Sequence, residues 1–527
     1  MRFRIALFVA AASGFVALSY EILWYRLYSY VSWGSPTAFG SLLGFYLLGI
    51  AIGSYASRVY CKSHVTVAAA EDRRQLRVLA GFLFLANGVG FFVAPALGRV
   101  VTHYHWFFSL ALVAIATSLL GAVLPLVSHF GISPDDKAGA RLSYLYVANI
   151  IGSAAGSLLT GFVAMDHLST TNIGLELALL GLALVAAVLV VSDLSRGQLG
   201  GALAAVAAVG VAMTVFSPRL FDQLYERLLF KTNFTPEARF AELVENRSGV
   251  INVTEDGRVW GGGAYDGAFN TDLVVDQNWI VRAYAVSAMH PSPRQMLMIG
   301  LASGSWAEVL ANAPGLEKLT IVEINPGYLG IIPHHPEVAS VLTNPKVEIV
   351  IDDGRRWLLR HPDRKFDAIV MNTSWNWRAH STNLLSSDFL EIVRAHLGWG
   401  GFAFYNATSS PDVYKTAATV FPFALRVVNF VAVSDSPLSV DRAVFDRVLR
   451  EYRIDGRPVL DLAREADKKA LDGALALADS VRTPPTDFGL ETRESLLARF
   501  GNATVITEDN MVTEWRDRFP AFPDVQP

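Results

Sequence analysis

The sequence predicts two joined parts: an α-helical membrane domain of about seven spans over residues 1–217, and an α/β domain with an N-terminal β-hairpin over residues 248–435. Three observations carry this expectation. Charge is unevenly distributed, with 12 Lys and Arg and 8 Asp and Glu in residues 1–216 against 32 and 40 in the 311 residues that follow. Apolar stretches recur at 5–33, 37–60, 78–100, 106–130, 143–165, 173–192 and 199–217, and most reach the roughly 20 residues that a helix needs to cross a bilayer. Beyond residue 294, short apolar runs alternate with helical patterns, which indicates a parallel sheet covered on both faces.

These proportions exclude several classes. The charge-poor first part is no ordinary water-soluble domain, and 52% hydrophobic residues exclude a disordered chain. The second part carries a net charge of −8, which argues against nucleic acid as a partner. The single cysteine, Cys61, excludes a disulfide framework within the chain and any cysteine-based metal centre.

Within the first part, the apolar run after Met1-Arg2-Phe3-Arg4 continues past any signal-peptide length into Glu21, Trp24 and Arg26. Glu21 is either a carboxylate at membrane depth, where such groups are paired or functional, or interfacial, with the helix ending near Leu18. The small residues Gly152 to Ser157 allow close helix packing. Basic residues gather on the N-terminal side of the spans: Arg2, Arg4, Arg58, Lys62, Arg73, Arg74, Arg77, Lys137, Arg141 and Arg196. The positive-inside rule then puts the N-terminus in the cytoplasm.

Residues 218–247 read as a linker. A hairpin is expected at 248–261 around Glu255-Asp256-Gly257, then a helix over 277–289. Strands are expected at 296–300, 319–322, 347–351, 368–371 and 402–405, and residues 436–527 as a helical extension that folds back. In such sheets ligands bind beyond the carboxyl ends of the strands. Gly300, Ser303 and Gly304 form a turn that lets a ligand approach a helix N-terminus. Glu323, ending the second strand, is placed to accept from ribose hydroxyls, and Asp353, followed by Gly354, from an adenine amino group. The turn lacks Gly-x-Gly-x-x-Gly, so S-adenosylmethionine (AdoMet) or a derivative fits better than NAD. No residue spacing suggests a metal, including that of His334-His335.

The run His290-Pro291-Ser292-Pro293-Arg294-Gln295-Met296-Leu297-Met298-Ile299-Gly300 resembles the entry to the first strand of spermidine synthases. Val322-Glu323-Ile324 resembles their ribose-binding segment, and Asp353-Gly354 their adenine-contacting pair. Ser19-Tyr20-Glu21-Ile22-Leu23-Trp24-Tyr25-Arg26 resembles the membrane-embedded, spermidine-synthase-like proteins of bacteria. The resemblance implies a Rossmann-like AdoMet-dependent transferase fold and transfer of an aminopropyl group from decarboxylated AdoMet to an amine. It also implies a homodimer, with a small-molecule amine or a lipid-borne acceptor as partner. It places the chain in the bacterial inner membrane as a multi-pass protein. The α/β domain is expected on the cytoplasmic face, beside the donor pool, if the first and fifth stretches are partial or re-entrant.

The departures bear on mechanism. Where spermidine synthases carry Asp-Ser-x-Asp-Pro after the fourth strand, this chain reads Asn372-Thr373-Ser374-Trp375-Asn376. Both carboxylates are absent, and an amide takes no proton from an ammonium. Tyr265, Asp266 and Asp276 are candidates for the acceptor side, with either aspartate as replacement base. Arg378 either pairs with the carboxylate of AdoMet itself or stabilises its own loop. Thr507-Glu508-Asp509-Asn510 resembles a segment of the membrane family. The readings that stay open are aminopropyl or related transfer, cleavage of AdoMet, and a non-catalytic AdoMet-binding sensor or transporter.

Overall fold

The computed structural model describes residues 2–61, 69–133, 135–290, 292–372, 375–480 and 489–516. Lys62, Pro291, Thr373 and Ser374, singled out above, lie outside the described residues, as do the side chains of Arg2, Arg73 and Arg74.

Among the described residues seven helices are long and apolar enough to cross a membrane: Phe3–Val31, Thr37–Ser57, Gln75–Val100, Trp106–Gly131, Ala138–His167, Thr170–Val190 and Arg196–Leu220. The shortest has 21 residues, about 32 Å at 1.5 Å per residue. The first helix runs unbroken through Glu21, so no end occurs near Leu18. The fifth continues through a π-helical turn at Thr160–Ala164. A Cβ added at Gly152 or Gly156 would strike the backbone of Ala11 or Phe15, so these small residues let the first and fifth helices pack closely.

Both helices run without a break, the first over 29 residues and the fifth over 30, so each is long enough for a complete crossing. The two ends of the bundle are distinct. Ala6 lies against Gly131 and Arg77 pairs with Asp193 at 3.2 Å at the N-terminal end. Arg26, Tyr30 and Thr170 meet the α/β part at the other.

The segment expected as a linker is structured. Helix Leu224–Phe230 buries Leu224, Tyr225, Leu228, Leu229 and Phe230 in one apolar core with the membrane-type helices. Strand β1 (Phe240–Asn246) follows and pairs antiparallel with β2 (Gly249–Thr254). With β3 (Arg258–Gly261) and β4 (Ala264–Ala268) they make a four-stranded sheet. The expected hairpin is its middle, with Gly257 at φ +80° in the turn.

The second sheet is built from β5 (Gln295–Ile299), β6 (Lys318–Glu323), β7 (Val347–Ile351), β8 (Phe366–Met371), β9 (Leu397–Asn406), β10 (Phe423–Val427) and β11 (Phe430–Ser434). After a two-residue pair, β12 (Arg453–Ile454) and β13 (Arg457–Pro458), strand β14 (Leu490–Thr492) returns to its edge. The order is β14-β10-β11-β9-β8-β5-β6-β7. Strands β9, β8, β5, β6 and β7 run parallel, and β11, β10 and β14 join antiparallel. Alternate residues of β5 serve the two faces. Met296 and Met298 enter one core, and Leu297 and Ile299 the other, as the two-residue period of a strand dictates.

The two halves interlock through polar groups as well as the shared core. Glu245 of β1 accepts from the Thr170 amide and the Tyr225 hydroxyl, both at 2.9 Å, and pairs with Arg26 at 3.5 Å. The Tyr30 hydroxyl donates to Asn252 Oδ1 at 2.6 Å. The C-terminal segment folds back. Helix Val512–Arg516 is held by Arg516 on Asp412 at 2.7 and 2.8 Å.

Candidate active site

Strand β5 ends at a turn that glycine permits. Gly300 and Gly304 have φ of +89° and +79°, a region that side chains disfavour. Glu323, at the end of the neighbouring β6, holds this turn. Its carboxylate accepts from the Leu301 amide at 2.6 Å and the Asn325 amide at 2.7 Å. Burial pushes its pKa up, and these amide contacts pull it down. A carboxylate has about four acceptor positions, so capacity remains for a ligand hydroxyl. Asp353, after β7, caps helix Gly354–Arg360 by accepting from the Arg356 amide at 2.8 Å. A Cβ at Gly354 would lie 2.5 Å from Ile299, so only glycine lets that helix close on β5.

These strand ends wall a cavity of about 410 Å³ that also includes Asp266, Asn372 and Arg378. A second cavity of about 700 Å³ lies between the four-stranded sheet and the loops after β8 and β9. Trp260, Tyr265, Asn278, Arg282 and Trp375 are among its walls. Asp266 and Asn372 line both cavities.

Asp266 is the acidic group at this junction. Its carboxylate accepts from the Tyr328 hydroxyl, and Arg378 stands 3.9 Å away. Burial raises the Asp266 pKa, while Arg378 and the Tyr328 hydrogen bond oppose that shift. Tyr265 donates to Asn278 Oδ1 at 3.1 Å, and burial pushes its phenol up to about 12. It therefore enters the site as a neutral hydroxyl.

The loop carrying Arg378 is clamped from three sides. The Ala379 amide donates to the Gly34 carbonyl, at the end of the first long helix, at 2.8 Å. Trp377 packs 6.2 Å from Trp33 and 6.1 Å from Trp375. Glu514 accepts from the amides of His380 at 3.0 Å and Thr382 at 2.8 Å. The membrane-type half and the C-terminal helix thus both fix the wall of the smaller cavity.

The structure brings together Gly300, Glu323, Asp353, Gly354, Arg378, Asp266, Tyr265 and Asn372, but not every residue expected at the site. Ser303 is buried against Ser305, at 3.3 Å, and Gly304 faces Ile332 and Val338; neither lines a cavity described here. Asp276 is also outside both. Its Oδ1 accepts from the amides of Asn278 at 3.1 Å and Ile280 at 2.8 Å, so it fixes the approach to helix Val281–Met289. His334 and His335 both contact Glu242, at 2.7 and 2.8 Å. Sequence reasoning missed Arg282, Tyr328 and Glu514. The available signal for Arg282 was a lone charge in the otherwise uncharged helix Val281–Met289.

No protein-family model matches the chain. Polyamine aminopropyltransferase 2 of Ralstonia nicotianae is 24% identical over 423 residues, covering 77% of this chain and 78% of that protein. The polyamine aminopropyltransferase of Mycobacterium tuberculosis is 23% identical over 435 residues, covering 78% of each. Such coverage exceeds the 311 residues after position 216, so the similarity extends into the apolar helices. A solved spermidine synthase in complex with the transition-state analogue AdoDATO aligns with 46% of this chain and 85% of its own, at 14% identity and a TM-score of 0.34. The chain is similar to polyamine aminopropyltransferases over most of its length.

Proposed function

We propose that the protein is a membrane-bound transferase that holds an AdoMet-type sulfonium donor in the smaller cavity and an amine acceptor in the larger one. The observation that carries this reading is the shared wall: Asp266 and Asn372 line both cavities. Glu323 and Asp353 supply acceptors for ribose and adenine on the donor side. The acceptor nitrogen attacks a carbon bonded to the sulfonium. A C–N bond forms, the C–S bond breaks, and sulfur keeps the electron pair as a neutral thioether. Sulfur leaves without acid help, so the site must align the reactants and take one proton from the amine. Asp266 is the group placed to take it. Burial raises its pKa, which makes it a stronger base than an ordinary aspartate. Asn372 can align a reactant through its amide but takes no proton from the amine. Arg378 in the donor wall favours a donor that keeps its carboxylate.

Incubating the detergent-solubilised protein with AdoMet or its decarboxylated form and an amine, then weighing the nucleoside product, tests the reading. Methylthioadenosine indicates cleavage on the long-chain side, which is transfer when the amine gains the chain, and S-adenosylhomocysteine indicates methyl transfer. Recovery of both donors intact across amine classes would favour the non-catalytic binding role.

The seven helices are proposed to cross a lipid bilayer completely. An odd number of crossings puts the N-terminus and the α/β domain on opposite faces; an even number, with one stretch re-entrant, puts both on the same face, beside the cytosolic donor pool when the basic flanks face the cytoplasm. Reporter fusions at residues 1 and 527 should report opposite sides. Reports from the same side would contradict seven complete crossings.

A further inference from the structure

Resting on the transfer reading for the role of the larger cavity, we infer that its acceptor is an amine that also carries an anionic group, a carboxylate or a phosphate, and not a polyamine. Arg282 is 8% exposed and lines that cavity. Its three hydrogen bonds go to uncharged acceptors: the carbonyls of Trp279 at 2.9 Å and Asn278 at 2.7 Å, and the amide oxygen of Asn429. The Phe430 ring packs at 4.7 Å and the Trp306 ring at 5.7 Å. No carboxylate among the described residues forms an ion pair with it. Asp276 is close enough for its charge to act on Arg282, yet its oxygens are turned to backbone amides.

A guanidinium has five N–H donors, so donors remain for a ligand. A buried cation whose fixed partners are all neutral is a receptor for an anion, and arginine matches carboxylate and phosphate by shape as well as charge. Arg258, the other cation in the wall, is paired with Asp256.

The acids give the same answer by subtraction. Asp266 is the carboxylate in this cavity's wall among the described residues. It must be free to take the proton of the attacking amine. A diamine or longer polyamine brings a second ammonium that needs an anion of its own, and the wall offers it Arg282, Asn278, Asn406 and Asn429 instead. One carboxylate cannot both accept a proton and neutralise a distal cation. The shared chemistry, an amine with an anion a few atoms away, occurs in free amino acids and in aminoalkyl phosphate headgroups.

The test uses matched probes on the full detergent-solubilised chain. 4-Aminobutanoate and 1,4-diaminobutane have the same length and differ in the charge of one end; O-phosphoethanolamine represents the phosphate class. Binding is read by calorimetry, so it does not depend on turnover. Either anionic probe should bind at least tenfold more tightly than 1,4-diaminobutane. Arg282→Gln should remove that preference, and Arg282→Lys should restore part of it. Donor binding in the smaller cavity, unchanged in both variants, certifies the fold. The stronger of the two anionic probes tells a free amino acid from a phosphate headgroup. Tighter binding of 1,4-diaminobutane, or an anion preference unchanged in Arg282→Gln, would overturn the inference. Bound probes with no product would strike the transfer reading alone.

Discussion

The two cavities share a wall and differ in what their other walls offer. The smaller is acidic at the strand ends, where Glu323, Asp352, Asp353 and Asp266 meet a single Arg378. The larger is lined mainly by amides and aromatic rings, with Asp266 as its carboxylate among the described residues and Arg282 beside an Arg258 that is paired with Asp256. On the transfer reading, the first suits the hydroxyl and amino hydrogens of a nucleoside, and the second suits an acceptor that brings an anion. The two cavities draw their other walls from different loops, so on that reading donor and acceptor recognition can vary separately.

The largest expected effect breaks the shared wall. Asp266→Asn should cut turnover by about 10²–10⁴, the usual worth of a positioned general base, while donor affinity stays within a few-fold; steady-state kinetics beside calorimetry would show the split. Next, Glu323→Ala should weaken donor binding by roughly 1.5–3 kcal/mol, the loss of hydrogen bonds to a charged acceptor, and leave acceptor binding alone. Equal losses on both sides would mean that the two cavities are not independent. Arg378→Ala comes third. It should weaken AdoMet by about tenfold, near the worth of one charge-assisted hydrogen bond, and leave decarboxylated AdoMet unaffected.

The smallest effect is on the pH profile. Turnover should rise as Asp266 loses its proton, and because burial raises that pKa, the acid limb should lie above the ordinary aspartate value of about 3.9. Arg378 opposes the shift, so Arg378→Ala should move the limb further up. A limb that moves down would contradict the assignment of Asp266.

Much of the smaller cavity's wall was legible because its residues end strands. An apolar run with a polar terminus, such as 319–322 before Glu323 or 347–351 before Asp353, announces both the strand and the position of its last side chain. The seven helices were legible for a similar reason, since length and apolarity are local properties. The larger cavity was not. Arg282 and Asp266 line one cavity because the segment before helix Val281–Met289 meets β4, where Tyr265 donates to Asn278, and no local pattern encodes that approach. Asp276 misled because an aspartate two and four residues before an amide partner reads the same whether it caps a turn or faces a ligand. Residues 218–247 misled because their buried face packs into a core shared by the membrane-type helices and the four-stranded sheet, so the segment looks unstructured until both halves are present. The hold of Gly34 on the Arg378 loop was hidden for the same reason.

The central claim is that chemistry happens where the two cavities meet. The direct measurement follows a donor labelled in the chain beyond the sulfonium, with wild type and Asp266→Asn side by side. With wild type the label should leave the nucleoside and appear on the acceptor nitrogen. Asp266→Asn should bind donor and acceptor as wild type does while the label stays where it began. Transfer at the wild-type rate by Asp266→Asn would contradict it.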